Sequence, residues 1–365
     1  MNRMDSKYIL ALNTDLRIGG QTIKKIGAAF DGDFERAWRA EGGLLTKRLG
    51  EKIAEIIIEA RDKVDPDREI EKINKLNLGY TTIYDKSYPP LLAEIHDAPA
   101  VLYIKGDAET LKLPSLAVVG SRKYSNYGVR ATKKLVSEIL RLSNLTIISG
   151  LALGIDSIAH RTALDHQGIT VGVLACGLDS VYPVSNKNLA DDIVKSGGAI
   201  ISEQAPGTMA LKHLFPARNR IIAGLSLGTL VTEAAKESGA LITAYAALDY
   251  NREVFAVPGN IDSPFSDGAN ELIKKGARSV TQVSDILEEL NIESKKAEQL
   301  AKEILPESEE EGEILKLFES EQEIPADIIV KECKLNIVKV NSCLTMMEMK
   351  GILENVGGGR YRKKL

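Results

Sequence analysis

The fold is decided by the segment SLAVVGSRKYSNYGVRATKKLVSEILRL, residues 115–142. Its apolar run Leu116–Val119 predicts a strand that is buried on both faces, and the turn Gly120-Ser121-Arg122 follows directly. Helical spacing of apolar residues then extends over Tyr127–Leu142. A strand, a turn of small residues and a helix in this order are typical of a parallel sheet that is covered by helices on both faces.

The same alternation continues to about residue 290. Further apolar runs that end near glycine predict strands at Thr146–Ile148, Thr170–Ala175, Ala199–Ile201, Thr229–Val231 and Val254–Val257. Helical spacing between them predicts helices at Ile155–Gln167, Leu189–Lys195, Ala217–Ala223, Ala240–Tyr250 and Ala269–Lys275. The predicted fold class is therefore α/β, with a doubly wound, mostly parallel sheet over residues 115–290. Such sheets bind ligands at the carboxyl ends of their strands, so the loops that follow the strands are the candidate site.

The regions on either side of this sheet differ from it in pattern. Residues 1–80 contain short amphipathic segments separated by glycines, which predicts a small all-helical N-terminal domain. Closely spaced prolines in residues 81–114 forbid a long helix, so this stretch is predicted to be a connector that leads into the first strand. Residues 291–313 predict an acidic linker. Residues 314–365 hold three helical segments and a β-hairpin, which is the order of a winged-helix domain.

Composition excludes several classes of protein. The 365 residues carry a net charge of −4, but eleven acidic and three basic residues fall in residues 285–313, so the rest of the chain is net positive. Cys176, Cys333 and Cys343 are far apart, which argues against a disulfide framework and a zinc site. No apolar run reaches the ~18 residues of a membrane span, and the first ten residues lack a signal-peptide core. We expect a cytoplasmic protein with no membrane association.

The turn Gly120-Ser121-Arg122 is the first candidate binding element. Backbone N–H groups at a strand-to-helix turn favour a phosphate, and the guanidinium of Arg122 offers a fork of donors to it. A tight turn with a merely solvated arginine is the alternative. The chain has neither a GxGxxG fingerprint after this strand nor a GxxxxGK[ST] loop, so nicotinamide cofactors and ATP hydrolysis are disfavoured.

The second candidate is the segment KHLFPARNR, residues 212–220. It carries Lys212, Arg218 and Arg220, no acidic residue, and a single aromatic residue, Phe215. Phosphates require cations and unstacked bases require an aromatic face, so the segment is suited to single-stranded nucleic acid. Alternatively, Phe215 belongs to the core and the arginines are solvated or paired.

Other motifs carry less weight. The segment GLSLG around Ser226 matches the nucleophile elbow of serine hydrolases, but it lies after a helix and before a strand, in the reverse of the required context. Glu233 ends a predicted strand and is suited to acid chemistry on a ribosyl bond, or to capping a helix or pairing with an arginine. His160 and His166 are six residues apart, which is not a metal-binding spacing on a helix. We therefore expect no catalytic residue and no metal site.

Together these residues resemble the DNA-processing protein A family (DprA, also called Smf). The resemblance rests on Gly120-Ser121-Arg122, Ser149–Asp156, Tyr182-Pro183, Lys212 with Phe215–Ser226, and Pro258-Gly259. It implies an extended Rossmann-like fold and a homodimeric, non-enzymatic protein without a cofactor. It also implies that the protein binds and protects single-stranded DNA and loads RecA recombinase onto it during natural transformation.

The resemblance also implies roles for individual residues. Arg122 and Lys212 would hold phosphates, and Phe215 would stack on a base. The remaining residues implied at the DNA site are Gly120, Ser121 and Gly150 as pocket lining, Arg218, Asn219 and Arg220 as further charge or pocket structure, and Lys187 as a weaker phosphate contact. The N-terminal region has Ile18-Gly19-Gly20-Gln21 in place of the family's Gly-x-Gly hairpin, so DNA contact by that hairpin is in doubt.

Two other functions remain open on the sequence alone. A related group of Rossmann enzymes, the cytokinin-activating phosphoribohydrolases, uses an arginine and a glutamate to cleave nucleoside monophosphates, and Arg220 with Gly228–Glu233 weakly resembles that pattern. The chain lacks the double glycine of those enzymes and carries two additional domains. The other possibility is that the winged helix alone reads DNA and the sheet is a scaffold.

Overall fold

The alternation of apolar runs and amphipathic segments produces a layered α/β structure. The computed structural model describes residues 3–293, 308–318, 323–349 and 353–363. Elements are numbered in chain order over these residues. The helices of the larger part are α1 Arg3–Leu12, α2 Gly20–Ala29, α3 Phe34–Arg39, α4 Gly42–Leu49, α5 Glu51–Lys63, α6 Pro66–Lys75, α7 Pro90–Ala93, α8 Asn126–Leu142, α9 Ile155–Asp165, α10 Lys187–Lys195, α11 Leu214–Gly224, α12 Ala240–Asp249, α13 Asp267–Lys274 and α14 Ser284–Glu289. Its strands are β1 Gly79–Thr82, β2 Val101–Gly106, β3 Ser115–Gly120, β4 Thr146–Ser149, β5 Thr170–Val173, β6 Ala199–Ser202, β7 Gly228–Glu233, β8 Glu253–Ala256 and β9 Arg278–Ser279.

The nine strands form one sheet in the order β1-β2-β6-β5-β4-β3-β7-β8-β9. The pairs from β6 to β9 are all parallel, whereas β1 and β2 are antiparallel additions at one edge. This confirms the predicted doubly wound, mostly parallel sheet. Strands β1, β2 and β9 were not predicted. Strands β1 and β9 are short and lie at the edges, where a continuous apolar run is not required, and β2 falls in the stretch that was predicted to be a connector.

The helical N-terminal region packs on the sheet. Its buried side chains, among them Phe30, Phe34 and Ile57, share a hydrophobic core with Tyr103 of β2 and Ile200 of β6. Residues 1–292 therefore form one compact unit, whereas the sequence pattern predicts a domain boundary near residue 80. Gly42 and Gly43 are among the glycines that separate the helical segments, and they form the start of helix α4. Glycine is tolerated at a helix start, where the first N–H groups have no partner within the helix.

Residues 293–365 form a second compact unit. Its elements are α15 Glu309–Leu317, β10 Glu323–Pro325, α16 Ala326–Cys333, α17 Ile337–Met349, β11 Leu353–Gly357 and β12 Arg360–Lys363. The strands form an antiparallel sheet in the order β10-β12-β11, and with the three helices they have the winged-helix arrangement that the sequence predicts. Most of the predicted acidic linker, residues 294–307, lies outside the described residues, and its end is helical from Glu309 because Ser308 caps that helix.

Neither a membrane-spanning helix nor a metal cluster is found among the described residues. None of the helices there is long and apolar enough to cross a membrane. No group of three or more His, Cys, Asp or Glu side chains in the same ranges has the geometry to hold a metal ion.

Helix α9 carries a fully buried histidine beneath the sheet edge. The Nδ1 atom of His160 lies 2.7 Å from Thr170 Oγ1, and the Thr170 hydroxyl donates to the Ile147 carbonyl at 2.7 Å. Burial, and after it the positive charge of Arg218, lower the pKa of His160 to about 3. The ring is therefore neutral in the folded protein at any pH above that value.

This histidine is predicted to make the fold acid-sensitive. The unfolded chain protonates His160 below about pH 6.5, while the folded chain keeps it neutral, so stability falls as the pH drops through that range. Urea unfolding at pH 7, 6 and 5 should show a slope up to ~1.4 kcal/mol per pH unit steeper for the unmodified protein than for His160→Gln. Parallel pH profiles for the two proteins would contradict this.

Candidate functional site

The candidate site lies at the point in the sheet where successive strands switch from one side of β3 to the other. From β3 the chain adds β4, β5 and β6 on one side, and it then returns to place β7 on the other side of β3. At such a switch point the loops after neighbouring strands diverge and leave a crevice. Here the crevice is a cleft of about 820 Å³, lined by the turn after β3, the first turns of α11, the loop after β7 and the start of α12.

The turn after β3 holds Arg122 at this cleft. A Cβ atom on Gly120 would lie 2.6 Å from Ile155 Cγ1, so glycine is required for α9 to approach. The Ser121 N–H donates to the Glu233 carbonyl at 2.7 Å, and the Ser121 carbonyl accepts from the Ile155 N–H at 3.3 Å. The turn is thus fixed between β7 and α9, while the side chain of Arg122 is exposed and has no ion pair with any described residue.

Phe215 lies on the first turn of α11, and its ring is next to the side chain of Arg122. The guanidinium carbon of Arg122 is 5.3 Å from the centroid of the Phe215 ring, within the range of a cation–π contact. The Tyr182 ring packs edge-on against Phe215 at a centroid distance of 5.5 Å. Phe215 is only partly buried, so the alternative that it belongs wholly to the core does not hold.

Lys212 adds a second exposed cation to the same cleft, and it also has no ion pair within the described part of the chain. Lys123 lines the cleft as well, whereas Glu237 and the buried Asp156 are the acidic residues among the lining. Arg122 and Phe215 belong to separate segments of the sequence. In the structure they meet in one cleft, together with Lys212.

Arg218 has a different role from the exposed cations. Its side chain is buried, and its Nη1 donates to the Gly150 carbonyl at 2.6 Å and to the Val173 carbonyl. It thereby bridges the carboxyl ends of β4 and β5. Burial lowers the pKa of Arg218 to about 10, against the opposing effect of the Asp156 carboxylate, so the guanidinium stays charged at neutral pH. Asp156 also accepts from the Gly150 N–H at 3.1 Å.

Asn219 and Arg220 point to different places. The Asn219 side chain accepts from Arg218 Nε at 3.2 Å and donates to the Gly239 carbonyl at 3.2 Å, so it joins the buried arginine to the far rim of the cleft. Arg220 forms ion pairs with Glu203 and Asp97 and does not line the cleft. The structure thus places Arg220 away from the position in which it would add charge to a DNA site.

Two further residues that the sequence implies at the site lie outside the cleft lining. Gly150 lies directly behind the cleft, where a Cβ atom would be 2.6 Å from Arg218 Nη2, so glycine leaves room for the buried guanidinium. Lys187 is exposed at the first residue of α10. The lining residues that the sequence analysis did not select include Lys123, which directly follows the Gly120-Ser121-Arg122 turn, Ile242, which no motif marks, and Tyr182, which belongs to a motif but had no assigned role.

Glu233 is used for structure. Its carboxylate accepts from the Ser125 N–H at 2.8 Å and from the Ser125 hydroxyl at 2.5 Å, and Ser125 in turn caps helix α8. The side chain is 2% exposed and does not line the cleft. This geometry does not favour the phosphoribohydrolase alternative, because a carboxylate for ribosyl chemistry would have to reach the ligand.

The glycine hairpin of the N-terminal region is contacted by the connector at Gly20, whereas Gly19 is exposed. A Cβ atom on Gly20 would lie 2.4 Å from the Ala98 carbonyl oxygen, and the Gln21 side chain donates to the His96 carbonyl. The connector thus packs against the first turn of α2.

Arg218 and Asp156 are buried close to each other, which leads to a prediction about stability. Arg218→Met should lower the free energy of unfolding by ~3–5 kcal/mol, because it removes the positive charge that offsets the burial of Asp156 and the donor to the Gly150 and Val173 carbonyls. Arg218→Met combined with Asp156→Asn should lose less than the sum of the two single changes. Chemical denaturation of the four proteins measures this coupling, and additive losses would show that the pair does not act as a unit.

Comparison with known sequences finds relatives of this chain. The model of the DNA recombination-mediator protein A family matches residues 79–291. The DNA processing protein DprA of Streptococcus pneumoniae is 46% identical over 208 residues, which cover 57% of this chain and 73% of the relative. Protein Smf of Synechocystis is 33% identical over an alignment that covers 100% of both chains.

Two solved structures are similar to this chain. The X-ray structure of S. pneumoniae DprA has a TM-score of 0.68 and 39% identity, and the match covers 78% of this chain and 97% of that one. A DprA structure from Helicobacter pylori, described as showing a unique single-stranded DNA binding mode, has a TM-score of 0.52 and 32% identity, with 59% and 97% covered. Because the family model matches more than half of the chain and one relative aligns along its whole length, the chain belongs to the DNA recombination-mediator protein A family.

Proposed function

We infer that this protein binds single-stranded DNA in the cleft at the carboxyl edge of its sheet. The observation that carries this proposal is the contact of Arg122 with Phe215, with Lys212 in the same cleft. A partly exposed aromatic ring with unpaired cations around it matches a flexible polyanion whose bases are unstacked. Duplex DNA offers phosphates to the cations but hides its base faces from the ring.

Each group has a separate task in this proposal. Arg122 and Lys212 neutralise phosphates, and Arg122 adds the planar set of donors that suits a phosphate oxygen pair. Phe215 stacks on a base and is held in place by the edge of Tyr182. Arg218 supports the cleft from below through the two strand ends and through Asn219. The single-stranded DNA binding mode described for the related H. pylori DprA supports single-stranded DNA as the ligand.

The wider role follows from the family. We propose that the protein acts as a homodimer, protects single strands and delivers them to RecA recombinase in the cytoplasm, and that it does so without catalysing a reaction. The description of the family as recombination mediators supports this role, since a mediator must hold a strand and then release it to a recombinase. The hydrogen bonds that tie Glu233 to Ser125, the cap of α8, agree with a binding role for the cleft.

One prediction compares the binding of single-stranded and duplex DNA. The protein should bind a single-stranded oligonucleotide more tightly than a blunt duplex of the same length, with little dependence on sequence, because only the single strand presents bases to Phe215. Fluorescence anisotropy with both substrates at one salt concentration measures the difference. Equal or tighter binding of the duplex would overturn the proposed function.

The second prediction separates phosphate contacts from stacking. Arg122→Ala and Lys212→Ala should each weaken binding and reduce the slope of log affinity against log salt by about 0.7, because each removes one phosphate contact. Phe215→Ala should cost ~1–3 kcal/mol at every salt concentration without changing the slope, and Phe215→Trp should retain most of the affinity.

Controls make this comparison specific. Lys195→Ala removes an exposed lysine outside the cleft lining and should leave both affinity and slope nearly unchanged. Thermal melting of every variant identifies loss of folding. If folded Phe215→Ala binds normally, the stacking role is wrong. If Arg122→Lys binds as well as the unmodified protein, Arg122 supplies charge alone.

A further inference from the structure

The outer face of helix α8 is strongly basic. Residues 122–141 contain six basic residues and one acidic residue, Glu138, in a chain whose net charge is −4. The basic residues are Arg122, Lys123, Arg130, Lys133, Lys134 and Arg141. All six are exposed. The buried side of α8, which includes Leu135, Val136 and Ile139, packs on the sheet, so the four cations within the helix share the side that faces solvent, and Arg122 and Lys123 lie in the turn before it.

These cations lack the partners that other helices provide. Within the described residues none of the six forms an ion pair, whereas Arg39 and Lys72 on other helices, and Lys275 at the end of α13, each pair with a carboxylate one turn earlier. Arg130 lies three and four residues before Lys133 and Lys134, and like charges at these spacings destabilise a helix. The clustered positive charges do not stabilise a helix that is exposed only to solvent. Their presence on α8 therefore indicates an anionic ligand.

The basic face begins at the cleft. Arg122 and Lys123 line the cleft, and Ser125, three residues after Arg122, caps the start of α8. Between them lies Tyr124, an aromatic side chain that is 47% exposed. At 1.5 Å per residue, the 17 residues of α8 extend about 25 Å away from the cleft. At the far end, Arg141 and His166 line an open groove of about 500 Å³.

We propose that the outer face of α8, with Tyr124 at its start, forms a second part of the single-stranded DNA site. The strand that occupies the cleft leaves it past Tyr124, and its phosphates run along Arg130, Lys133 and Lys134. This inference rests on the proposed function, because the ligand of α8 is the continuation of the strand in the cleft. Two features favour a DNA strand as the ligand of α8: its phosphates are complementary to the cations, and the basic face continues directly from the cleft.

The length of the DNA provides the test. Fluorescent oligothymidylates of about 6 and about 25 nucleotides are titrated against the full chain, since short strands fill a single site while long strands extend beyond it. The variant Arg130→Gln/Lys133→Gln/Lys134→Gln should bind the long strand at least about tenfold more weakly, with a salt slope reduced by about 2. Its affinity for the short strand should change less than twofold.

A matched control carries the same loss of charge elsewhere. Lys86→Gln/Lys195→Gln/Lys274→Gln removes three exposed lysines that have no ion pair with described residues and do not line the cleft. It should bind both strands as the unmodified protein does. Tyr124→Ala should weaken binding of the long strand and Tyr124→Phe should not, because only the ring is required for stacking. Thermal melting confirms that all variants are folded.

The possible failures can be told apart. If the unmodified protein binds neither oligonucleotide, the proposed function is wrong. If it binds both, and the α8 variant binds the long strand normally or loses affinity for both lengths equally, the extension along α8 is wrong and the cleft stands. A larger loss for a 25-base-pair duplex than for the long single strand would also overturn the extension, since α8 would then be a surface for duplex DNA.

Discussion

The buried guanidinium of Arg218 is the constraint on which the cleft depends. A charge in the interior is tolerated only when hydrogen bonds and an opposite charge replace the lost water. The carbonyls of Gly150 and Val173 and the carboxylate of Asp156 supply these, and each comes from a different segment: the ends of β4 and β5 and the first turn of α9. The charge therefore fixes the position of α11 relative to two strand ends and one helix start.

The geometry of α11 then divides the basic segment into separate tasks. Phe215 and Arg218 are three residues apart and lie on neighbouring positions of one helix face, so fixing Arg218 also fixes Phe215 at the cleft. Arg220 is two residues further on and lies on the opposite side, where it pairs with Glu203 and Asp97. The three cations of this segment are equivalent in a count of charge, but only Lys212 is exposed and unpaired within the described chain.

This division explains what sequence alone could predict. The central strands β3 to β8 were predictable because buried parallel strands are apolar on both faces, and the turn at Gly120 was predictable because it follows such a strand. The burial of Arg218 was not, since it depends on carbonyls that are 68 and 45 residues away in the chain. The role of Glu233 was likewise hidden, because its partner Ser125 is 108 residues away and belongs to a cap that the sequence shows only as a loop. The packing of Ala98 over the start of α2 joins segments that no local pattern connects.

The cations of this chain fall into two groups, those that form an ion pair with a carboxylate and those that do not. This difference matters more than the number of charges. Arg17, Arg220 and Arg252 each meet a carboxylate, and their charges are neutralised within the fold. Arg122 and Lys212 remain unpaired within the described residues, and they border a partly exposed aromatic ring. A polyanion gains from unpaired cations only, because a paired cation must first give up its carboxylate. At physiological salt, exposed charges farther apart than about 8 Å are largely screened. The electrostatic potential in the cleft therefore depends mainly on the charges that lie near it, so the acidic overall charge of the chain is compatible with DNA binding.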